Sequence, residues 1–305
     1  MRKHKSGRGR DVHGILLLNK PIGLTSNESL QVAKRLYHAR KAGHTGSLDK
    51  MASGLLPLCF GEATKFSSYL LDADKHYRAT CRLGIETSTG DAAGEVKSEL
   101  PVPAFTEKDI GNVLDTFLGE TLQVPPMHSA LKHKGQRLYQ LAYQGIEVER
   151  EPRPIRIYAL ELVSFSGNSF VIDVHCSKGT YIRTLGEDIG RKLGCGAHVS
   201  ALHRTGSGPF KEDEMIGLEE LEALAREGSD RLDEKLLTID AMIRELPEVV
   251  LADSVAYYLQ QGQPVVVPRA PTEGALRIYN ENHRFLGVGE ILDDGRVAPK
   301  RLVNF

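Results

Sequence analysis

Ala42-Gly-His-Thr-Gly-Ser-Leu-Asp-Lys-Met-Ala-Ser-Gly-Leu-Leu-Pro57 holds three glycines, two serines and one aspartate. Its first half follows neither a helical nor a strand period, so residues 41–49 read as a loop. An aspartate in such a loop ordinarily makes an Asx turn or caps the following helix. Composition alone does not separate that duty from chemistry.

Outward from this loop the punctuation is regular. On its N-terminal side, Thr25-Ser-Asn-Glu28 has capping-box spacing, and Leu30, Ala33, Leu36 and Tyr37 then share one helical face. Before that, Gly14-Ile-Leu-Leu-Leu18 reads as a short buried strand ended by the turn Lys20-Pro-Ile-Gly23. On the C-terminal side, Tyr77, Ala79, Cys81 and Leu83 alternate with Arg78, Thr80 and Arg82, the period of a half-buried strand with a basic outer face. A helix is expected from Thr106, with Ile110, Val113, Leu114 and Phe117 inward and Gly119 closing it. Strands follow at about 153–164 and 169–176, then a helix at about 180–193. Strands and helices mix without strict alternation, so the expected class is α+β on a mixed or antiparallel sheet.

Two domains are expected from the length of 305 residues. Residues 1–247 form the first, with 124–152 as an inserted arm rich in Pro, Gly and cations (Lys132, Lys134, Arg137). An acidic helical stretch at 217–240 precedes the boundary Leu246-Pro-Glu248. Residues 248–305 form a small β-rich unit with strands at Gln263-Pro-Val-Val-Val, Ala275-Leu-Arg-Ile-Tyr and Phe285-Leu-Gly-Val-Gly-Glu-Ile-Leu, small enough to lean on the first domain.

Net charge is -1, but it is unevenly spread. Arg2, Lys3, Lys5, Arg8 and Arg10 make a basic tail, and residues 33–84 hold nine Lys/Arg against four Asp/Glu, whereas 212–248 hold thirteen acids against four bases. One face can therefore attract a polyanion despite the balanced total. No apolar run is long enough for a signal peptide or a membrane span. Four unpaired-looking cysteines suit a reduced, cytoplasmic protein. No G-x-x-x-x-G-K-[ST], G-x-S-x-G or H-E-x-x-H motif is present, which removes the main support for P-loop, serine-hydrolase and zincin chemistry. Cys176, Cys195, His198 and His203 lack the paired spacing of a structural zinc site, so no metal is expected.

The run 42–57 closely resembles the active-site motif of the bacterial tRNA pseudouridine-55 synthases, the TruB family. Leu16-Leu-Leu-Asn-Lys-Pro-Ile-Gly23, Gly61-Glu-Ala-Thr-Lys65, Lys75-His-Tyr-Arg78, Cys176-Ser-Lys-Gly-Thr-Tyr-Ile-Arg-Thr184, Gly194-Cys-Gly-Ala-His-Val199 and Leu202-His-Arg204 resemble further blocks of that family, in order. The resemblance implies a pseudouridine synthase-like catalytic domain and a PUA-like C-terminal domain. It further implies isomerisation of the uridine at position 55 in the T-loop of tRNA, with no cofactor, no membrane and no obligatory protein partner. By it, Asp49 is the nucleophile, Tyr77 stacks on the target uracil and Arg183 pairs with Asp49. His44 fills the gap left by the flipped nucleotide, Tyr181 and Leu202 line the pocket, and Lys20 belongs to the substrate site. Lys50, Asn19 and His128 stand where the family commonly has proline, aspartate and tyrosine.

The residue types suit this chemistry on their own terms. Isomerisation breaks the N1–C1′ bond and rejoins the uracil through C5 without redox change or hydrolysis. It needs an ionised carboxylate in a dry pocket, which Asp49 can supply if Arg183 offsets the desolvation. The uridine must also leave its stack, at a cost of a few kcal/mol that aromatic stacking partly returns. Attack at C1′, addition at C6 and elimination to a glycal all remain open at this stage. So do two other readings of the whole chain: a guide-dependent synthase of the dyskerin type, and an RNA-folding chaperone.

Overall fold

The computed structural model describes residues 9–304, so Arg2, Lys3, Lys5 and Arg8 of the basic tail lie outside the described residues. The chain runs β1 (Gly14–Lys20), α1 (Ser26–Leu36), β2 (Ala42–His44), β3 (Ser53–Phe60), α2 (Ser67–Asp72), β4 (Lys75–Leu83), β5 (Ile85–Thr87), β6 (Val96–Glu99) and α3 (Glu107–Asp115). Next come β7 (Gly119–Gln123), the arm with β8 (Lys132–His133), β9 (Gln136–Arg137) and α4 (Leu138–Tyr143), then β10 (Arg153–Ser166), β11 (Ser169–Cys176), α5 (Ile182–Lys192) and β12 (Ala197–Ser207). Short strands β13 (Phe210–Lys211) and β14 (Ile216–Gly217) lead to α6 (Leu218–Glu227) and α7 (Ser229–Asp233). The C-terminal part holds β15 (Glu248–Leu251), α8 (Asp253–Gln260), β16 (Ala275–Asn280), β17 (Phe285–Ile291) and β18 (Val297–Leu302).

A ten-stranded mixed sheet, in the order β14-β1-β3-β12-β4-β11-β10-β7 with β13 on β12 and β2 on β3, carries the first part of the chain. Most pairs are antiparallel, while β1·β14 and β3·β12 are parallel. The α+β architecture is therefore the observed one. β1 and β3 are buried on both faces: Leu16, Leu18, Leu56 and Leu58 pack with α1, α3, α5 and α6 on one side, and Ile15, Leu17, Leu55 and Cys59 pack on the other. A strand covered on both faces needs a continuous apolar run, which is what Ile15, Leu16, Leu17 and Leu18 supply. β4 alternates because its Arg78 and Arg82 side faces solvent.

On the second face of β1 and β3, Ile15, Leu17 and Leu55 share one core with Phe66, Ile239, Met242 and Ile243 and with Tyr279, Phe285 and Val288 of the C-terminal four-stranded sheet β15-β16-β17-β18. Phe66 and Phe285 have ring centroids 5.7 Å apart, and Lys65 Nζ donates to the Leu302 carbonyl at 3.1 Å. Leaning of the small unit on the large one is thus literal.

Four local expectations change. Within the expected loop 41–49, residues Ala42–His44 form a strand against β3. The segment 263–267 is no strand; flanked by Pro264 and Pro268, it makes only the Val265–Val297 bridge, because proline has no N–H for a ladder. The acidic stretch 217–240 is broken at Gly228, whose φ of +134° ends α6. The helix begun at Thr106 ends at Asp115, and Gly119 opens β7 instead of closing the helix.

Candidate active site

Asp49 sits at the tip of a hairpin whose two stems are sheet strands. β2 pairs antiparallel with β3 from Ala42–Phe60 to His44–Leu58, and the Thr45 amide continues the ladder to the Pro57 carbonyl at 3.1 Å. Between the stems, Gly46 takes φ +82°, a left-handed value that favours glycine, and the Ala52 amide donates to the Asp49 carbonyl at 3.1 Å. The tip is then tied from α1. Ser26 is buried; its hydroxyl donates to the Leu48 carbonyl at 3.1 Å and accepts from the Leu48 amide at 2.7 Å. The turn after β1 reaches it too, through Gly23 N–H to the Lys50 carbonyl at 2.8 Å.

Arg183, in the first turn of α5, approaches from the opposite side. Its Nε lies 2.9 Å from Asp49 Oδ2 and its Nη1 lies 3.5 Å from Asp91 Oδ2. Nη1 also donates to the Thr89 carbonyl at 3.0 Å, and Nη2 to the His128 carbonyl at 2.8 Å. The guanidinium and Asp91 are each 6% exposed, whereas Asp49 is 43% exposed, so the carboxylate alone opens into the cleft. Protein nevertheless surrounds its other sides, and this burial raises the Asp49 carboxyl above its ordinary value, with Arg183 pulling it back down. Asp91 is held in turn by the Thr89 hydroxyl at 2.6 Å and the Ala93 amide at 3.0 Å.

Tyr77 lies on β4, and burial raises its phenol. On the neighbouring β12, Arg204 stands opposite Tyr77 and Leu202 opposite Ala79. Tyr181, the residue before α5, is held at its backbone by Gln123, which accepts from its amide at 2.8 Å and donates to its carbonyl at 3.1 Å. Lys20, at the end of β1, is fully buried; its Nζ donates to the carbonyls of Pro21 at 2.8 Å and Leu24 at 2.6 Å, and burial lowers it to about 8. It lies within the field of Asp49. His44 ends β2, its Nδ1 is buried without a hydrogen-bond partner, and burial followed by Arg204 lowers its imidazole.

Asp49 is thus electrostatically coupled to Arg183 and Lys20, and Tyr77 and Tyr181 both lie within its field. Leu202 lines the same region through β12, and His44 connects to it through Arg204. Sequence reasoning gave no role to Asp91, Gln123 or Ser26, and took Arg204 only as part of the Leu202-His-Arg204 block. The first, in Thr87-Ser-Thr-Gly-Asp91, carries only the signature of an Asx turn. His128 acts here through its backbone carbonyl, a contact blind to side-chain identity. Among the described residues no three His, Cys, Asp or Glu side chains converge as metal ligands; His198 meets the Ile85 carbonyl and His203 the Ser53 hydroxyl.

Comparison with known proteins agrees along the chain. The profile described as TruB family pseudouridylate synthase (N terminal domain) matches residues 34–182. That of the tRNA pseudouridylate synthase B C-terminal domain matches 183–249, and that of pseudouridine synthase II TruB, C-terminal, matches 247–303. The tRNA pseudouridine synthase B of Nitrosococcus oceani is 54% identical over 303 residues, covering 99% of this chain and 98% of the relative. That of Tolumonas auensis is 53% identical, covering 99% and 96%. Among solved structures, a chain of a Cbf5-Nop10-Gar1 complex superposes with TM-score 0.74 at 27% identity, over 95% of this chain and 84% of that one. A chain of an H/ACA RNP bound to a substrate RNA containing 2'-deoxyuridine gives TM-score 0.74 at 25% identity, over 96% and 86%.

Proposed function

The chain belongs to the TruB family of pseudouridylate synthases and converts uridine to pseudouridine in tRNA; within that activity we propose that its target is the uridine at position 55 of the T-loop and that Asp49 is the nucleophile. The observation that supports this reading is the asymmetry of the ion pair: a carboxylate open to the cleft, backed by a buried guanidinium at 2.9 Å whose other edge is held by Asp91 and two carbonyls.

In this reading the uridine swings out of the loop and stacks on Tyr77, while His44 occupies the space it leaves. Tyr181 and Leu202 wall the pocket, and water is displaced from Asp49 as the base enters. Loss of that water disfavours the ionised carboxylate further, so Arg183 is what keeps Asp49 reactive. Lys20 adds positive potential from beneath. Asp49 then reacts with the nucleotide, the N1–C1′ bond breaks, and the uracil turns within the pocket and rejoins through C5. The proton lost from C5 balances the one gained at N1, so no outside reactant is consumed.

We propose further that the chain works in the cytoplasm without a guide RNA or protein partner, the arm 124–152 closing over the T-arm. The test is incubation of purified protein alone with an unmodified T-arm stem-loop transcript, followed by position-specific detection of pseudouridine. Modification at position 55 is expected. Modification elsewhere would refute the site, and a requirement for added guide RNA would favour a dyskerin-type synthase.

A further inference from the structure

Beneath the Asp49 hairpin lies a buried cation that the chemistry above does not use. Arg204 is 1% exposed, and among the described residues no carboxylate forms an ion pair with it. Two more buried cations, Lys20 and Lys75, lie in its field, and their ammonium groups donate to backbone carbonyls. Gathering like charges in a buried region is costly, so something must require this side chain here. Its contacts indicate what. Nε donates to the Leu55 carbonyl at 2.6 Å and Nη2 to the Gly46 carbonyl at 3.1 Å, one on each side of Asp49. Tyr77 stands opposite Arg204 on β4, and its side chain lies within the field of the guanidinium.

We infer that Arg204 is a positioning residue for the isomerisation: its one guanidinium fastens both ends of the Asp49 hairpin from the strand paired with β4, and so sets the carboxylate relative to the β4 strand that presents the stacking ring. The topology places it for that task. β12 is hydrogen-bonded to β3 on one side and β4 on the other, with Arg204 opposite Gly54 in β3 and Tyr77 in β4. At Gly54 a Cβ would fall 2.4 Å from the Arg204 carbonyl oxygen, so the hairpin's outgoing strand is seated directly on this residue. Two carbonyls met by different nitrogens of one guanidinium call for a planar fork. A lysine ammonium has three donors but offers them all from a single nitrogen at the end of a flexible stem, so it does not hold the two carbonyls apart in a fixed plane.

The inference rests on the roles proposed for Asp49 and Tyr77, and the experiment separates the two. Single-turnover rates at saturating enzyme, filter-binding affinity for tRNA, and the fluorescence of a 2-aminopurine beside the target uridine are compared among wild type, Asp49→Asn, Arg204→Lys and Arg204→Met, with melting curves for each. A small misplacement of reacting groups costs about 100-fold in rate, so both Arg204 variants are expected to lose about that much chemistry. Affinity should stay within about threefold, because binding is spread over many phosphate contacts. The flipping signal should be kept.

A folded Arg204→Met with wild-type rate would overturn the inference while an inactive Asp49→Asn left the proposed function standing. Turnover by Asp49→Asn would instead remove the reading beneath it. Rate, affinity and flipping signal falling together in the Arg204 variants would also overturn it, since the residue would then be a general support. Should Arg204→Met not fold, Gly46→Ala attacks the clamp from its other side, where the new Cβ would meet Arg204 Nη1 at 3.3 Å. Its effect combined with Arg204→Lys should be less than additive, and full additivity counts against a shared clamp.

Discussion

The role proposed for Asp49 sets two requirements against each other: the carboxylate must be dry enough to react and must still be ionised. Burial raises its proton affinity and Arg183 lowers it, with Asp91 sharing the same guanidinium. Asp49→Asn should abolish pseudouridine formation while leaving tRNA affinity within a few-fold, measured by single-turnover kinetics and filter binding on one preparation. Arg183→Lys keeps the charge but loses the fork that serves Asp49, Thr89, Asp91 and His128 at once, so a rate loss of at least about 100-fold is expected. The pH dependence follows from the same shift. Because the folded value of Asp49 is raised, the reactive form is lost as pH falls through it, and the acid limb of the single-turnover rate should lie above the ordinary aspartate value of 3.8. Linkage has the opposite sense for stability. A carboxyl with a raised folded value contributes most below its unfolded value, and that contribution is lost as pH rises through the folded one. At neutral pH Asp49→Asn should therefore melt no lower than wild type, since Asp91 still faces Arg183.

Among the elements, α1 does more than cover the sheet. Its capping box is complete, with the Thr25 hydroxyl accepting from the Glu28 amide and the Glu28 carboxylate accepting from the Thr25 amide, and this first turn carries the Ser26 that grips Leu48. Ser26→Ala would leave a buried amide and carbonyl unpaired beside Asp49, costing about 1–3 kcal/mol of stability. A drop in melting temperature together with a slower single-turnover rate is expected; an unchanged rate would mean that α1 supports the fold without aiming Asp49. The capping box was legible because its spacing is a local signal. β12 was not read as a strand, because Ala197–Ser207 carries His198, Arg204 and Ser207 as buried polar residues and so lacks the alternation by which a half-buried strand announces itself.

For the whole molecule, the shared core on the second face of β1 and β3 links the C-terminal sheet to the strands that carry the active-site hairpin. Phe285, packed between Phe66 and Tyr279 at centroid distances of 5.7 and 5.6 Å, is the anchor of that contact. Phe285→Ala should destabilise the protein by about 3–5 kcal/mol, seen as a shift in denaturant midpoint. Removing 248–305 outright would uncover Phe66 and the segment 239–243 against which Phe285 and Tyr279 pack, and is expected to give an aggregating or poorly folded remainder, so a simple division into binding and catalytic halves fails on stability before binding is measured. Affinity for tRNA should fall steeply with salt for wild type and Phe285→Ala alike, because counterion release belongs to the charge pattern and not to the core.

The elements β1, α1, β4, β10, β11 and α5, the apolar face of α1, the basic outer row of β4 and the family blocks around Asp49, Tyr77 and Arg183 were written in contiguous residues, because periodicity, caps and turns act over a few positions. The role proposed for Asp49 rests in the sequence on the resemblance alone; its loop composition reads equally well as a turn. Tertiary structure alone decided that Arg183 is divided between Asp49 and Asp91, that the hairpin stands on Arg204, and that β1 is covered on its second face by residues more than two hundred positions away. Those are meetings between strands and helices distant in the chain. Which buried cation meets which carbonyl is set by packing and desolvation, and neither leaves a period in the sequence.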